Sequence, residues 1–167
     1  MKIKPKTIAF IGIGTALAMI LSYLEAMIPP LFSAVPGIKM GLPNIIIVFL
    51  LYRKGPGFTA IVSLLRIILV SILFGNIVAF FYSLAGGAIS LLVMIILRKT
   101  KILSTVGVSV AGAVMHNVGQ ILMAMLLLET AELGYYLVVL TVTGTIAGIL
   151  IGLCGALLIK RIPKSII

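Results

Sequence analysis

The sequence has 167 residues, 62% of them hydrophobic and only 10% charged, with a mean hydropathy of +1.37. Too little polar surface remains to coat a water-soluble globule, so lipid must solvate much of the exterior. The excess of 13 basic over 3 acidic residues would suit nucleic acid, but the basic residues sit in short clusters between apolar runs, as topology signals do, and no nucleic-acid partner is expected.

A membrane-spanning helix needs about 20 apolar residues. The first run covers residues 7–28 and stops at Pro29-Pro30. Its Lys-rich approach (Lys2, Lys4, Lys6) resembles a signal peptide, but the run is long, lacks a convincing cleavage site and is followed by similar segments, so a retained first span is expected. A Pro/Gly-rich stretch follows, holding Pro36, Gly37, Gly41 and Pro43. The second run, residues 41–52, ends at Arg53-Lys54. Its dozen residues reach only about 18 Å as a helix, short of a ~30 Å hydrocarbon core. It therefore starts partway down, after an outer loop that dips into the membrane as a re-entrant segment, and such an interrupted helix points to a binding site. The remaining runs cover residues 55–73, 77–97, 103–128 and 133–159. The expected fold is one all-α integral membrane domain over residues 1–167, with about six transmembrane helices, the second short.

Charge sets the orientation. All basic residues except Lys39 and Arg66 fall at the N-terminus, at Arg53 and Lys54, at Arg98, Lys99 and Lys101, or at Lys160, Arg161 and Lys164. Alternate connections thus share one side, and the positive-inside rule puts both termini in the cytoplasm of a multi-pass cell-membrane protein.

Polar groups inside a membrane are costly and need a partner or a role. Counting inward places Glu25, Lys39, Asn44, Asn76, Tyr82, His116, Asn117 and Gln120 in the outer half, with Arg66 near mid-depth, and leaves the inner half almost purely apolar. That asymmetry predicts a pocket open to the outside, lined by these residues. Arg66 either pairs with Glu25 or loop carbonyls, or meets a ligand. His116 and Gln120 share a helix face and either bond to neighbouring helices or bind ligand. Asn44 either N-caps the second helix or helps an anion to its start, with Lys39. One histidine without carboxylate or thiol neighbours makes a poor metal site. The single cysteine, Cys154, excludes an intramolecular disulfide. Small residues on the first helix (Gly12, Gly14, Ala16, Ala18) and glycines along the fifth and sixth (Gly107, Gly112, Gly119; Gly144, Gly148, Gly152, Gly155) allow close helix approach, within the protein or to another membrane subunit.

No aspartate occurs anywhere, so an aspartate-rich magnesium–diphosphate motif is excluded, and no GxxxxGK[ST] phosphate loop is present. A non-enzymatic role without a bound cofactor is expected.

Several stretches carry a family resemblance: Ala18-Met19-Ile20-Leu21-Ser22-Tyr23-Leu24-Glu25 leading to Ile28-Pro29-Pro30; Pro36-Gly37-Ile38-Lys39-Met40-Gly41-Leu42-Pro43-Asn44; Leu64-Leu65-Arg66; Tyr82-Ser83-Leu84-Ala85-Gly86-Gly87; and Ala113-Val114-Met115-His116-Asn117-Val118-Gly119-Gln120. They resemble the Gx transporter family, often labelled heptaprenyl diphosphate synthase component I, which is similar to the substrate-binding S components of energy-coupling factor (ECF) transporters. The resemblance implies six helices, an outward pocket capped by the first loop, and a small-residue face on the first helix. That face, here Gly12 and Ala16, would dock a transmembrane coupling subunit working with two ATPase subunits. It implies capture of a small, vitamin- or cofactor-like molecule, anionic by the weak indication of Lys39 and Arg66. The label itself implies instead a non-catalytic membrane subunit of a polyprenyl diphosphate synthase, and relatives' associations imply a membrane component of flavin- or quinone-linked electron transfer.

Overall fold

A computed structural model describes residues 5–27 and 41–163. Lys39 and most of the expected re-entrant loop lie outside the described residues. The helices are α1 (Pro5–Met27), α2 (Asn44–Arg53), α3 (Pro56–Phe74), α4 (Ile77–Thr100), α5 (Thr105–Leu128) and α6 (Tyr136–Arg161), with a short 3-10 helix (Ala131–Tyr135) leading into α6.

Local chemistry sets the ends. Pro56 opens α3 directly after Gly55, whose φ of +91° suits glycine. Asn76 caps α4 by accepting the Ala79 N–H at 2.8 Å, and Ser104 caps α5 through the Gly107 N–H at 3.2 Å. Helix α4 runs on through Arg98 and Lys99, past the apolar run, because basic side chains in a last turn favour the carbonyl end of a helix. The final run begins as 3-10 rather than α-helix, so α6 proper starts at Tyr136.

Five stretches are long and apolar enough to cross a membrane: α1, α3, α4, α5, and α6 with its 3-10 lead. Helix α2 is not among them; its 10 residues extend only about 15 Å. Residues 46–51 are buried in an unbroken row, so α2 is covered on every side, as an all-apolar helix must be. It packs against α6, α3 and α1, while α1, α3, α4, α5 and α6 contact one another in that order.

Lipid gives apolar side chains no reason to prefer a neighbouring helix, so close packing must hold the bundle. Glycines provide it. A Cβ at Gly148 would stand 2.7 Å from the Val110 Cα, and one at Gly152 2.8 Å from the Val106 Cα, so α6 lies backbone-close on α5. Gly119 makes the same approach to Gly86 on α4, at 2.8 Å from its Cα. Large apolar side chains such as Ile13, Leu17, Ile72, Leu126, Val138 and Leu150 point outward.

Clustered basic side chains among the described residues gather at one end. Arg53 donates through Nη2 to the carbonyls of Ile159 and Ile162 at the end of α6. The Lys54 ammonium sits 4.8 Å from the Phe10 ring centroid, and the Arg98 guanidinium 5.3 Å from that of Tyr52. The starts of α1 and α3 and the ends of α2, α4 and α6 therefore share a basic rim.

Candidate functional site

A cavity of about 20 Å³ lies among α1, α3, α4, α5 and the approach to α2. That is room for roughly one water molecule. Helix α1 contributes Glu25, α3 contributes Arg66, Ile67, Val70 and Ser71, α4 contributes Ser83, and α5 contributes His116, with Gly41 and Asn44 from the start of α2. Glu25, Arg66 and His116 are all buried.

Gly41 adopts a φ of +87°, and its N–H donates to Glu25 Oε1, tying the approach of α2 to the end of α1. Any side chain at position 41 would also strike the Asn44 amide, 2.8 Å from the Cβ position. Arg66 rises from the middle of α3. Its Nη1 donates to Ser22 Oγ at a long 3.4 Å, and its Nε has no hydrogen-bond acceptor among the described residues. Glu25 attracts the guanidinium electrostatically. The site thus sets a carboxylate beside a guanidinium whose Nε is unused among the described residues.

The helix start beside the cavity is less open than the sequence suggests. Pro43 occupies the N-cap position, Asn44 is the first helical residue, and no side chain caps α2. The N–H groups of Asn44, Ile45 and Ile46 already donate to the carbonyls of Gly41, Leu42 and Pro43, at 2.8, 3.1 and 3.0 Å.

Of the expected site residues, Glu25, Asn44, Arg66 and His116 come together. Tyr82, Asn117 and Gln120 are buried but do not line the cavity. Asn117 donates to the Leu140 carbonyl at 2.8 Å, joining α5 to α6. Asn76 is exposed and serves as the cap of α4, away from the cavity. Gly12 and Ala16 are exposed on α1, and a Cβ at Gly12 would meet nothing within 4 Å.

Sequence reasoning missed Gly41, Ile67, Val70, Ser71 and Ser83 as lining residues. The signal was there in part: Val70 lies one turn after Arg66, on the same face. The expectation of an almost purely apolar half beyond the pocket needs correction. Thr15, Thr59, Ser63, Ser90 and Ser109 are buried between the cavity and the basic rim. Such residues pass as neutral in a hydropathy reading because a hydroxyl can bond to its own helix, as Thr59 does to the Gly55 carbonyl at 2.8 Å. Among the described residues no three His, Cys, Asp or Glu side chains gather.

Long apolar helices packed through glycine, with a charged site sunk between them, define a multi-pass α-helical membrane protein. The chain belongs to the heptaprenyl diphosphate synthase component I family, whose sequence profile matches residues 15–158. Neither the curated proteins nor the solved structures contain a match to it.

Proposed function

We propose that the protein is a substrate-capture subunit for membrane transport, taking up a small molecule with anionic character from the face opposite the basic rim. The observation that carries this reading is Arg66: buried at mid-helix, beside a cavity, with a donor left unused. A charge kept inside a membrane at such cost marks a functional position. The water-sized cavity is then the closed form, and loading requires the Gly41 end of α2 to part from Glu25. Clustered basic residues orient the rim toward the cytoplasm of the cell membrane. The resemblance read from the sequence would imply a coupling subunit and two ATPase subunits as partners, docking along the exposed Gly12 and Ala16 face.

Mass spectrometry of small molecules released from the purified protein tests this. A single species released from wild type and absent from Arg66→Gln supports capture; equal release from both defeats it.

The family description favours a second reading, an accessory membrane subunit of a prenyl diphosphate synthase. The sequence contains no aspartate for a metal–diphosphate motif, so in this reading the chemistry belongs to a partner. Prenyl transfer by that partner, measured with and without this protein in vesicles, decides: no change in rate or product length ends the second reading.

A further inference from the structure

The cavity beside the start of α2 is lined by opposite charges. Glu25 and Arg66 both line it, both are buried, and they attract each other. Their formal charges cancel, so in the closed form the pair adds no net charge to the membrane interior. A ligand carrying only a negative charge would leave the filled site unbalanced and away from water, and an uncompensated buried charge is costly.

Hydrogen bonding points the same way. In the closed form Glu25 Oε1 accepts the Gly41 N–H. Loading requires the Gly41 end of α2 to part from Glu25, which takes that donor from the carboxylate. Arg66 has the opposite need. Its Nε has no acceptor among the described residues, and its Nη1 reaches Ser22 Oγ only at 3.4 Å. An occupant that answers both residues brings a cationic donor for Glu25 and an anionic acceptor for Arg66. The rest of the lining sets its shape. Ser71 and Ser83 can donate or accept and so impose no charge, while Ile67 and Val70 offer apolar surface. Glu25 and Arg66 share a cavity with room for roughly one water, so the ligand's two charges lie only a few bonds apart.

We infer that the site takes a compact zwitterion, its ammonium-type group on Glu25 and its carboxylate-type group on Arg66. This rests on the capture reading and narrows its substrate class.

The test uses the full-length purified protein and three probes of one shape: valine, with both charges; isovalerate, which lacks the ammonium; and isobutylamine, which lacks the carboxylate. By titration calorimetry, valine is expected to bind at least about tenfold tighter than either half, since each charged hydrogen bond contributes that much. Glu25→Gln keeps the shape and should erase the preference over isovalerate, and Arg66→Gln should erase the preference over isobutylamine. Should either variant fail to fold, wild type alone decides: titrations in buffers of different ionisation enthalpy should show valine entering without proton uptake. Valine binding no better than isovalerate overturns the inference, as does a preference unchanged in the Glu25 variant or an absence of binding by all three probes. Isovalerate binding as tightly as valine, with a proton taken up, overturns it while leaving capture standing. Failure of the capture reading shows separately, as equal release of small molecules from wild type and Arg66→Gln.

Discussion

Replacing Gly86 by alanine tests both the packing and the site. The added methyl would stand 2.8 Å from the His116 carbonyl oxygen, 2.9 Å from Gln120 Cγ and 3.1 Å from His116 Cε1. The first of these is backbone and cannot swing aside, so α4 must move off α5. Overpacking of this kind costs about 1–3 kcal/mol. Alanine's better helix propensity returns up to about 1 kcal/mol, leaving a net loss of roughly 1–2 kcal/mol. Gly12→Ala is the matched control: nothing lies within 4 Å of its Cβ, so only the propensity gain remains. Thermal unfolding in detergent, with both variants against wild type, should show Gly86→Ala lowered by roughly 5 °C and Gly12→Ala unchanged or raised. Equal stability of the two variants would refute the argument that α4 and α5 meet backbone to backbone at this point.

Leu50→Ala should cost about 2–5 kcal/mol by equilibrium unfolding, because α2 is enclosed and its neighbours cannot collapse onto the void. Arg66→Met alone should be destabilising, by about 3–5 kcal/mol, since it removes the guanidinium that attracts the buried Glu25 carboxylate. Adding Glu25→Gln should recover part of that loss, and strict additivity in the double-mutant cycle would deny the coupling. For orientation, cysteines placed at Lys101 and Glu129 in a Cys154→Ser background should react with an impermeant maleimide from opposite faces of sealed vesicles. Labelling of both from one face would remove the proposed topology.

The sequence was most legible where hydrocarbon imposes a rule. Glu25, Arg66 and His116 stood out because ionisable groups in apolar runs are rare, and all three reach the cavity. Asn76 stood out as a polar residue at the outer start of the fourth run and turned out to cap α4. An asparagine near a helix start serves either purpose, and only its rotation about the axis tells which. Ser71 and Ser83 were silent because hydroxyls carry little hydropathy signal.

By itself, then, the sequence determined that the chain lives in lipid, roughly where its long helices lie, and which connections carry the positive charge. Length and polarity settle these, since a hydrocarbon slab needs some twenty apolar residues per crossing and rejects charge between its faces. Tertiary structure alone decided which buried polar groups meet. These helices are apolar on nearly every side, so periodicity does not reveal the inward face. Rotation is set instead by which glycine notch receives which neighbour: Gly86 receiving His116 and Gln120, and Gly144 receiving Asn117.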